Sequence, residues 1–256
     1  MFSNIIEIII LSIVQGISEF LPISSSAHLN IVEIIFEFNS NSLMIDVSLH
    51  LGSLLAIVFY FRRELLDLRN NQKLLSLLII GSIPIVIAGY VISSTGLVNL
   101  LENNLKIIAW TTLIFGIILY LADKSKFDKK ISSNLNFKTI LYIGLFQILA
   151  LIPGVSRAGI TITAARLFRF NRFDSSKISF LLAIPAIAGA SVLQLKNVIG
   201  QSFELNYLVL ISITLSFLFS YFTVKFFLDY INKFSLNVFV IYRIIISIIL
   251  FIIIYN

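Results

Sequence analysis

Long apolar blocks dominate this sequence and limit the environments in which it can fold. Of its 256 residues, 58% are hydrophobic and only 12% are charged, whereas a soluble domain is about half apolar and about a quarter charged. A chain with so few charges could not cover its own surface in water, which excludes a soluble enzyme or a nucleic-acid-binding protein. We therefore predict an all-α integral membrane protein that crosses the bilayer several times.

The lengths of the apolar blocks predict which of them cross the membrane. A helix needs about 20 apolar residues to span the hydrocarbon core. Six blocks are long enough on their own, at 43–61, 73–93, 105–122, 177–197, 205–230 and 236–255. The remaining four form two pairs, 2–20 with 24–37 and 138–152 with 155–168, and three of these four are too short to span comfortably.

A proline interrupts each of the two pairs. Pro22 separates the first two blocks, and Pro153 with Gly154 separates the second two. Proline lacks a backbone donor and disturbs the preceding turn, so the freed backbone groups must be buried in protein or line a wet cavity. We therefore predict about six transmembrane helices plus two re-entrant helical hairpins.

The distribution of basic residues predicts the orientation of the chain. Four links, at 62–73, 123–138, 169–177 and 225–233, hold 14 of the 19 Lys and Arg residues. Basic links lie on the cytoplasmic side of membrane proteins. The first hairpin and both termini are then predicted outside, and the second hairpin enters from the cytoplasm with the opposite orientation.

Two pairs of similar short segments agree with two oppositely oriented halves. Residues 15–22 resemble 147–153, and 83–89 resemble 184–189. We predict a single polytopic membrane domain, 1–256, built as an inverted-topology repeat with halves at about 1–122 and 138–256. Such repeats place their site near the midplane between broken helices. The alternative is that proline-containing membrane helices produce these matches by chance.

The first hairpin gathers side chains that are costly at membrane depth, by about 2.5–3.5 kcal/mol for an ionisable group. Gln15 and Glu19 are spaced i, i+4 and share a helix face. The serine triplet 24–26 suits the start of a second helix. On that helix Ser25 and His28 are spaced i, i+3, which places a hydroxyl nucleophile near a base. Histidine can also attack phosphorus itself, so either group could be the nucleophile.

The second hairpin carries the chemistry of an anion site. Arg157 follows Gly154 and Ser156, close to a predicted helix start, where backbone N–H groups bind anions. The forked guanidinium suits phosphate oxygens. Together the two hairpins predict a phosphate or diphosphate site open to a lipid tail. The alternative is that Arg157 is a structural partner of Glu19. Arg166, further along, is expected to extend to the cytoplasmic interface.

The sequence shows no transition-metal site. Cysteine is absent, and there is no histidine-rich or paired-acid cluster with the usual ligand spacing. A hard cation such as Mg²⁺ or Ca²⁺ is nevertheless expected, shared between Glu19 and a diphosphate, because few carboxylates plus phosphate oxygens hold such ions.

At these residues the sequence resembles the undecaprenyl-diphosphatase family, known for bacitracin resistance. The matching segments run in the family's order: QGISEFLPISSSAH (15–28), LHLGSLLA (49–56), GLFQILALIPGVSR (144–157) and SFLLAIPAIAGA (179–190). The resemblance implies a phosphatase that converts undecaprenyl diphosphate to the monophosphate carrier lipid of cell-wall (peptidoglycan) synthesis. It also implies an inverted-repeat fold with two re-entrant hairpins and an outward-facing site in the bacterial plasma membrane.

The resemblance also implies roles for individual residues. Glu19 matches the second acid of the first motif, Ser25 matches the candidate nucleophile, and His28 matches the base or alternative nucleophile. Ser24 and Ser26 match the hydroxyls beside Ser25. Ser156 and Arg157 match the phosphate-binding pair. Gly154 and Gln15 complete the candidate phosphate-binding set.

This chain departs from the family pattern at three places. Gln15 stands where many members have Glu, which weakens a role there as metal ligand or base. Ser26-Ala27 replaces the commoner Thr-Gly, and Ala158 replaces the commoner Ser. None of these changes removes Ser25, His28 or Arg157.

The predicted activity is hydrolysis of a polyprenyl diphosphate at the membrane, with the bilayer and the lipid as partners and homodimer formation left open. The rival hypothesis is a transporter or flippase of polyprenyl phosphate lipids, because inverted repeats with broken helices also build secondary transporters. A carrier would move the lipid without releasing phosphate and would not need Ser25 and His28 on one face.

Overall fold

A computed structural model describes residues 2–36, 43–95, 104–127, 129–199 and 207–255. Within these ranges the chain is helical and contains no strand. The helices are α1 (Phe2–Ser18), α2 (Ser25–Phe36), α3 (Leu43–Tyr60), α4 (Arg62–Asp67), α5 (Gln72–Thr95), α6 (Leu105–Asp123), α7 (Ile131–Asn134), α8 (Phe137–Gln147), a 3₁₀ turn (Ile148–Leu151), α9 (Arg157–Leu167), α10 (Arg172–Ile199), α11 (Tyr207–Ile231) and α12 (Asn237–Tyr255).

Six of these helices are long and apolar enough to cross a membrane, and they coincide with the six predicted blocks. They are α3, α5, α6, α10, α11 and α12, with mean hydropathies between 1.8 and 2.8 over the best window of each. Two contain an internal proline, Pro84 in α5 and Pro185 in α10, and each helix continues through it. The prediction of an all-α membrane protein with about six spans is confirmed.

The two predicted hairpins correspond to pairs of shorter helices. The second helix of each pair, α2 and α9, has 12 and 11 residues, so each is about 18 Å long or less, well short of the roughly 30 Å hydrocarbon core. The chain breaks where proline predicts it: α1 ends at Ser18, before Pro22, and α8 passes through the 3₁₀ turn before Pro153. That these pairs are re-entrant remains a prediction.

Glycine allows the first helix of each pair to lie against a long helix. A Cβ added at Gly16 of α1 would lie 2.5 Å from the Phe219 Cβ of α11. A Cβ at Gly144 of α8 would clash with the Gly81 carbonyl oxygen of α5. Small residues at such crossings let membrane helices approach closely. The hairpins are therefore held by direct helix–helix contact.

The helices pair in a regular pattern. α3 packs on α11 and α10 packs on α5, while α1 packs on α11 and α8 packs on α5. α6 packs on α12. All five of these pairings join a helix of the predicted first half to one of the second. The division into halves itself stays a prediction.

The outer surface of α12 is strongly apolar. Ile241, Ile245, Ile248 and Ile252 are each more than half exposed and follow a helical spacing that places them along one face. Exposing such an apolar stripe to water would be unfavourable, whereas lipid chains would cover it. This face agrees with a helix at the lipid boundary.

Candidate active site

Both hairpins turn through strained serine residues. Ser24, directly before α2, has φ +78°, and Ser156, directly before α9, has φ +69°. Non-glycine residues in this left-handed region cost about 1–3 kcal/mol and cluster at functional sites. Gly154 also has positive φ, and a Cβ there would clash with the Thr111 hydroxyl. The second turn therefore needs glycine at this position for steric as well as conformational reasons.

Ser156 caps the start of α9. Its Oγ accepts a hydrogen bond from the Gly159 backbone N–H at 3.1 Å. Such a cap satisfies one of the four backbone donors left free at a helix start. The predicted phosphate-binding Ser156 thus has a structural role in the hairpin turn, and Arg157 follows it as the first residue of the helix.

Glu19 joins the two hairpins. Its Oε2 accepts from the Ser25 hydroxyl at 2.6 Å and from Gln15 Nε2 at 3.1 Å. Its Oε1 accepts from Arg157 Nη2 at 2.9 Å. Glu19 is only 8% exposed, so these charge-assisted bonds form in a poorly hydrated site where they are strong. Four of the sequence-predicted residues are therefore in one network.

Arg157 retains a donor beyond its bond to Glu19. Nη2 contacts Glu19, whereas Nη1 is buried and has no partner among the described residues. The guanidinium also lies 5.9 Å from the centre of the Phe20 ring. Buried polar groups are almost always hydrogen-bonded, so an unpartnered guanidinium N–H group on a residue that shares Glu19 with Ser25 is suited to bind an anion.

His28 has a different partner from the one its spacing predicts. Nδ1 contacts the Ser24 carbonyl at 2.5 Å and Nε2 contacts the Tyr242 hydroxyl at 2.6 Å. Because a carbonyl only accepts, Nδ1 carries the hydrogen and Nε2 accepts from the tyrosine. The His28 and Tyr242 rings also stack, with centroids 5.5 Å apart. No hydrogen bond joins Ser25 to His28 in the described part of the chain, so Ser25 is paired with a carboxylate instead.

Arg243 ties the two turns together. This fully buried residue of α12 donates to the Pro22 carbonyl of the first turn at 3.2 Å. It also donates to Gly154 and Val155 of the second turn, at 2.9 and 3.1 Å, and to Thr112 of α6 at 3.1 Å. Its guanidinium thus supplies hydrogen-bond donors to carbonyl groups in both turns, where no helical N–H group is available.

Sequence reasoning missed both Tyr242 and Arg243. Arg243 is the only charged residue in the apolar block 236–255, and the rule that singled out Arg157 applies to it equally. Tyr242 carries no comparable signal, because tyrosine is ordinary in a membrane helix. Only the packing of α12 against the first hairpin brings its hydroxyl to His28.

Three other predicted residues, Ser24, Ser26 and Gly154, have no described contact with Glu19. The Ser24 and Ser26 hydroxyls are 3.4 Å apart, with Ser26 exposed and Ser24 buried. Gln15 is fully buried, and its Oε1 has no partner within the described ranges. The Gly154 carbonyl, in the second turn, accepts a hydrogen bond from Arg243.

Arg166 does not extend to the interface as expected. It is 1% exposed, its Nε lies 3.3 Å from Asp123 Oδ1, and it donates to the carbonyls of Asp123, Ser125 and Phe170. The expectation was wrong because the end of α6 supplies a carboxylate and carbonyls that replace water. Arg166 is therefore a packing residue in the described structure.

Comparison with known proteins shows the family of this chain. The family model described as bacitracin resistance protein BacA matches residues 8–249. The chain belongs to this family. An undecaprenyl-diphosphatase of Elusimicrobium minutum is 39% identical over 96% of this chain and 97% of its own length. Undecaprenyl-diphosphatase 3 of Bacillus cereus is 39% identical over 93% of both chains, and an undecaprenyl-diphosphatase of Alteromonas mediterranea is 38% identical over 94% of this chain and 95% of its own.

The BacA-family match runs from residue 8 to residue 249, so every residue of the network lies inside it. The donors available to a metal ion in this network are few. Among the described residues, no group of three or more His, Cys, Asp or Glu could hold one. Glu19 offers one carboxylate and Gln15 offers an unpartnered amide oxygen beside it. This donor set fits a hard cation that takes most of its ligands from phosphate and water.

Proposed function

We propose that this BacA-family protein hydrolyses undecaprenyl diphosphate to undecaprenyl phosphate and inorganic phosphate, by way of Ser25, Glu19 and Arg157. Its relatives over nearly the whole chain carry the name undecaprenyl-diphosphatase. The observation that carries the assignment of residues is the bridge through Glu19, which contacts a hydroxyl of one hairpin and a guanidinium of the other.

Ser25 is the proposed nucleophile, with Glu19 as its general base. The Ser25 proton moves to Glu19 Oε2, which already accepts it at 2.6 Å. Oγ then bonds to the terminal phosphorus, and the bond from that phosphorus to the bridging oxygen breaks. Undecaprenyl phosphate leaves with the electron pair of that bond. His28 is the less suitable nucleophile in this geometry, because both ring nitrogens already have partners.

Water completes the proposed reaction. A water oxygen attacks the phosphorus on Ser25, the bond between phosphorus and Oγ breaks, and inorganic phosphate leaves as Oγ regains a proton. His28 and Tyr242 form a hydrogen-bonded pair beside the serine helix and are suited to pass a proton to or from solvent. Glu19, having taken the first proton, returns it at this stage.

Arg157 is proposed to bind the terminal phosphate. Its unpartnered Nη1 and the start of α9 provide fixed positive charge where negative charge develops. Ser24, Ser26 and Ser156, which lie in or beside the two turns, are proposed to add hydroxyl groups to this site. Removing one such fixed donor usually costs about 10²–10³ in turnover.

A divalent cation, Mg²⁺ or Ca²⁺, is proposed to bind with the diphosphate. Glu19 and Gln15 Oε1 would hold it from the protein side. When bound, such an ion neutralises phosphate charge and polarises the phosphorus–oxygen bonds.

The proposed orientation follows from the basic links. With those links in the cytoplasm, the site and both termini lie on the outer side of the plasma membrane, and the lipid tail leaves the site sideways into the bilayer. The transporter alternative is not favoured, since the named relatives are diphosphatases.

Phosphate release from undecaprenyl diphosphate by detergent-purified protein tests this proposal. We expect release with Mg²⁺ or Ca²⁺, loss on chelation, and a fall of about 10³-fold or more in Ser25→Ala and about 10²-fold or more in Arg157→Ala. Ser94→Ala, which removes an exposed hydroxyl bonded only within α5, is the matched control and should keep full activity. Folded Ser25→Ala with wild-type turnover would contradict the nucleophile assignment, and lipid binding without any phosphate release would favour transport.

A further inference from the structure

A charged cavity lies at the opposite end of α9 from the candidate active site. It has a volume of about 510 Å³ and lies where α6 and α9 end and α12 begins. α9 links the two places, because it starts at Arg157 in the site and Arg166 lines this cavity nine residues later. At 1.5 Å per residue the two arginines are about 14 Å apart along the helix axis.

The charged side chains that line this cavity are mostly cationic. Lys124, Lys126, Arg166 and Arg172 face it together with the carboxylate of Asp123. Among the described residues, no other acidic side chain lines it. The formal charge of the lining is therefore strongly positive, because four cations accompany one anion.

Asp123 is already fully engaged and does not neutralise the lysines. Its Oδ1 lies 2.8 Å from Arg172 Nε and 3.3 Å from Arg166 Nε. Its Oδ2 accepts from Arg172 Nη2 at 3.0 Å and from the Leu236 N–H at 3.2 Å. Among the described contacts, the Lys124 side chain has only one, in which its Nζ lies 4.3 Å from the centre of the Tyr120 ring. The cavity thus presents ammonium groups that no described carboxylate balances.

Arg172 adds directed hydrogen-bond donors to these charges. It uses two of its N–H groups on Asp123 and is 31% exposed at the side chain, so three of its five donors have no partner among the described residues. A guanidinium held by a buried carboxylate is fixed in position, which lowers the entropic cost of binding a phosphate oxygen.

We propose that this cavity binds the phosphate group of an anionic membrane phospholipid. Basic pockets between transmembrane helices on the cytoplasmic side bind such headgroups, and the positively charged link 123–138 places the cavity on that side. Phe127 lines the cavity and is 60% exposed, which offers an apolar surface to an acyl chain. The site is independent of the proposed hydrolysis, since it shares no residue with the Glu19 network.

Native mass spectrometry of detergent-purified protein tests this proposal directly. The probes are dioctanoyl phosphatidylglycerol, dioctanoyl phosphatidylcholine and inorganic phosphate. We expect one phosphatidylglycerol to be retained in preference to phosphatidylcholine. The variant Lys124→Ala/Lys126→Ala should bind it about 20- to 30-fold more weakly, because each lysine near an anionic headgroup contributes about fivefold.

Two further variants distinguish binding in this cavity from binding elsewhere on the protein. Lys73→Ala/Lys130→Ala removes two exposed lysines of the basic links that do not line the cavity and should leave retention at the wild-type level. Arg157→Ala should also retain phosphatidylglycerol, which excludes binding in the active site. Equal retention by the Lys124→Ala/Lys126→Ala variant would overturn the proposal. So would inorganic phosphate binding as tightly as the lipid, since the ligand would then be the free anion.

Discussion

Replacing Arg243 with methionine should separate the two hairpin turns. Methionine has a similar length and no charge, so it fills the space along α12 but donates nothing. The carbonyls of Pro22, Gly154 and Val155 would lose their guanidinium donor. These three groups lie in turns, and among the described contacts only the Gly154 carbonyl of the three keeps another donor, the Thr112 hydroxyl at 3.4 Å.

The size of the effect follows from these contacts. A buried acceptor left without its donor costs about 1–3 kcal/mol, which gives roughly 2–6 kcal/mol for the Pro22 and Val155 carbonyls. The variant no longer buries a charged guanidinium, and this relief offsets part of the loss. We therefore expect Arg243→Met to lower the free energy of unfolding by about 3 kcal/mol. Arg243→Lys should lose less, because the ammonium keeps a charge-assisted bond to at least one turn.

Reversible unfolding in mixed detergent and SDS, followed by circular dichroism, measures this change. Arg63→Met is the matched control, since Arg63 is exposed and its loss should cost less than about 0.5 kcal/mol. Arg243→Met should also reduce phosphate release, because Ser25 and Arg157 follow the two turns directly. A methionine variant within about 1 kcal/mol of wild type would refute the idea that Arg243 holds the turns together.

Three further changes test other contacts. Glu19→Gln keeps the shape but removes the base for Ser25, so phosphate release should fall about 10²-fold or more, with KM changed less than kcat. Tyr242→Phe keeps the ring stacked on His28 and removes only the hydroxyl bonded to Nε2. We expect kcat to fall about three- to tenfold. An unchanged kcat would show that the tyrosine is only a packing residue. Asp123→Asn leaves the buried Arg166 and the half-buried Arg172 without their carboxylate. It should destabilise the protein by about 3–5 kcal/mol in the same unfolding assay. Wild-type stability would mean that the carbonyl partners of Arg166 are enough to stabilise it.

Much of the fold could be predicted because the lipid environment acts on each segment separately. A helix must satisfy its own backbone in hydrocarbon, so block length alone identified α3, α5, α6, α10, α11 and α12. Proline disturbs only the helical turn that precedes it, so the breaks before α2 and α9 could also be predicted from the sequence. The same locality explains why Glu19 and Arg157 stood out as costly residues.

The sequence by itself therefore determined the membrane class, the six long helices, the two breaks and most members of the site. Tertiary structure decided which of them meet. Ser25 turns to Glu19 rather than to His28, His28 meets Tyr242, 214 positions away, and Arg166 is buried against Asp123. The last two contacts join segments that are far apart in sequence, and the first crosses the break at Pro22, whereas spacing along one helix fixes only a shared face. Partner choice depends on how the helices pack, and in this protein Arg243 links the two turns on which that packing depends.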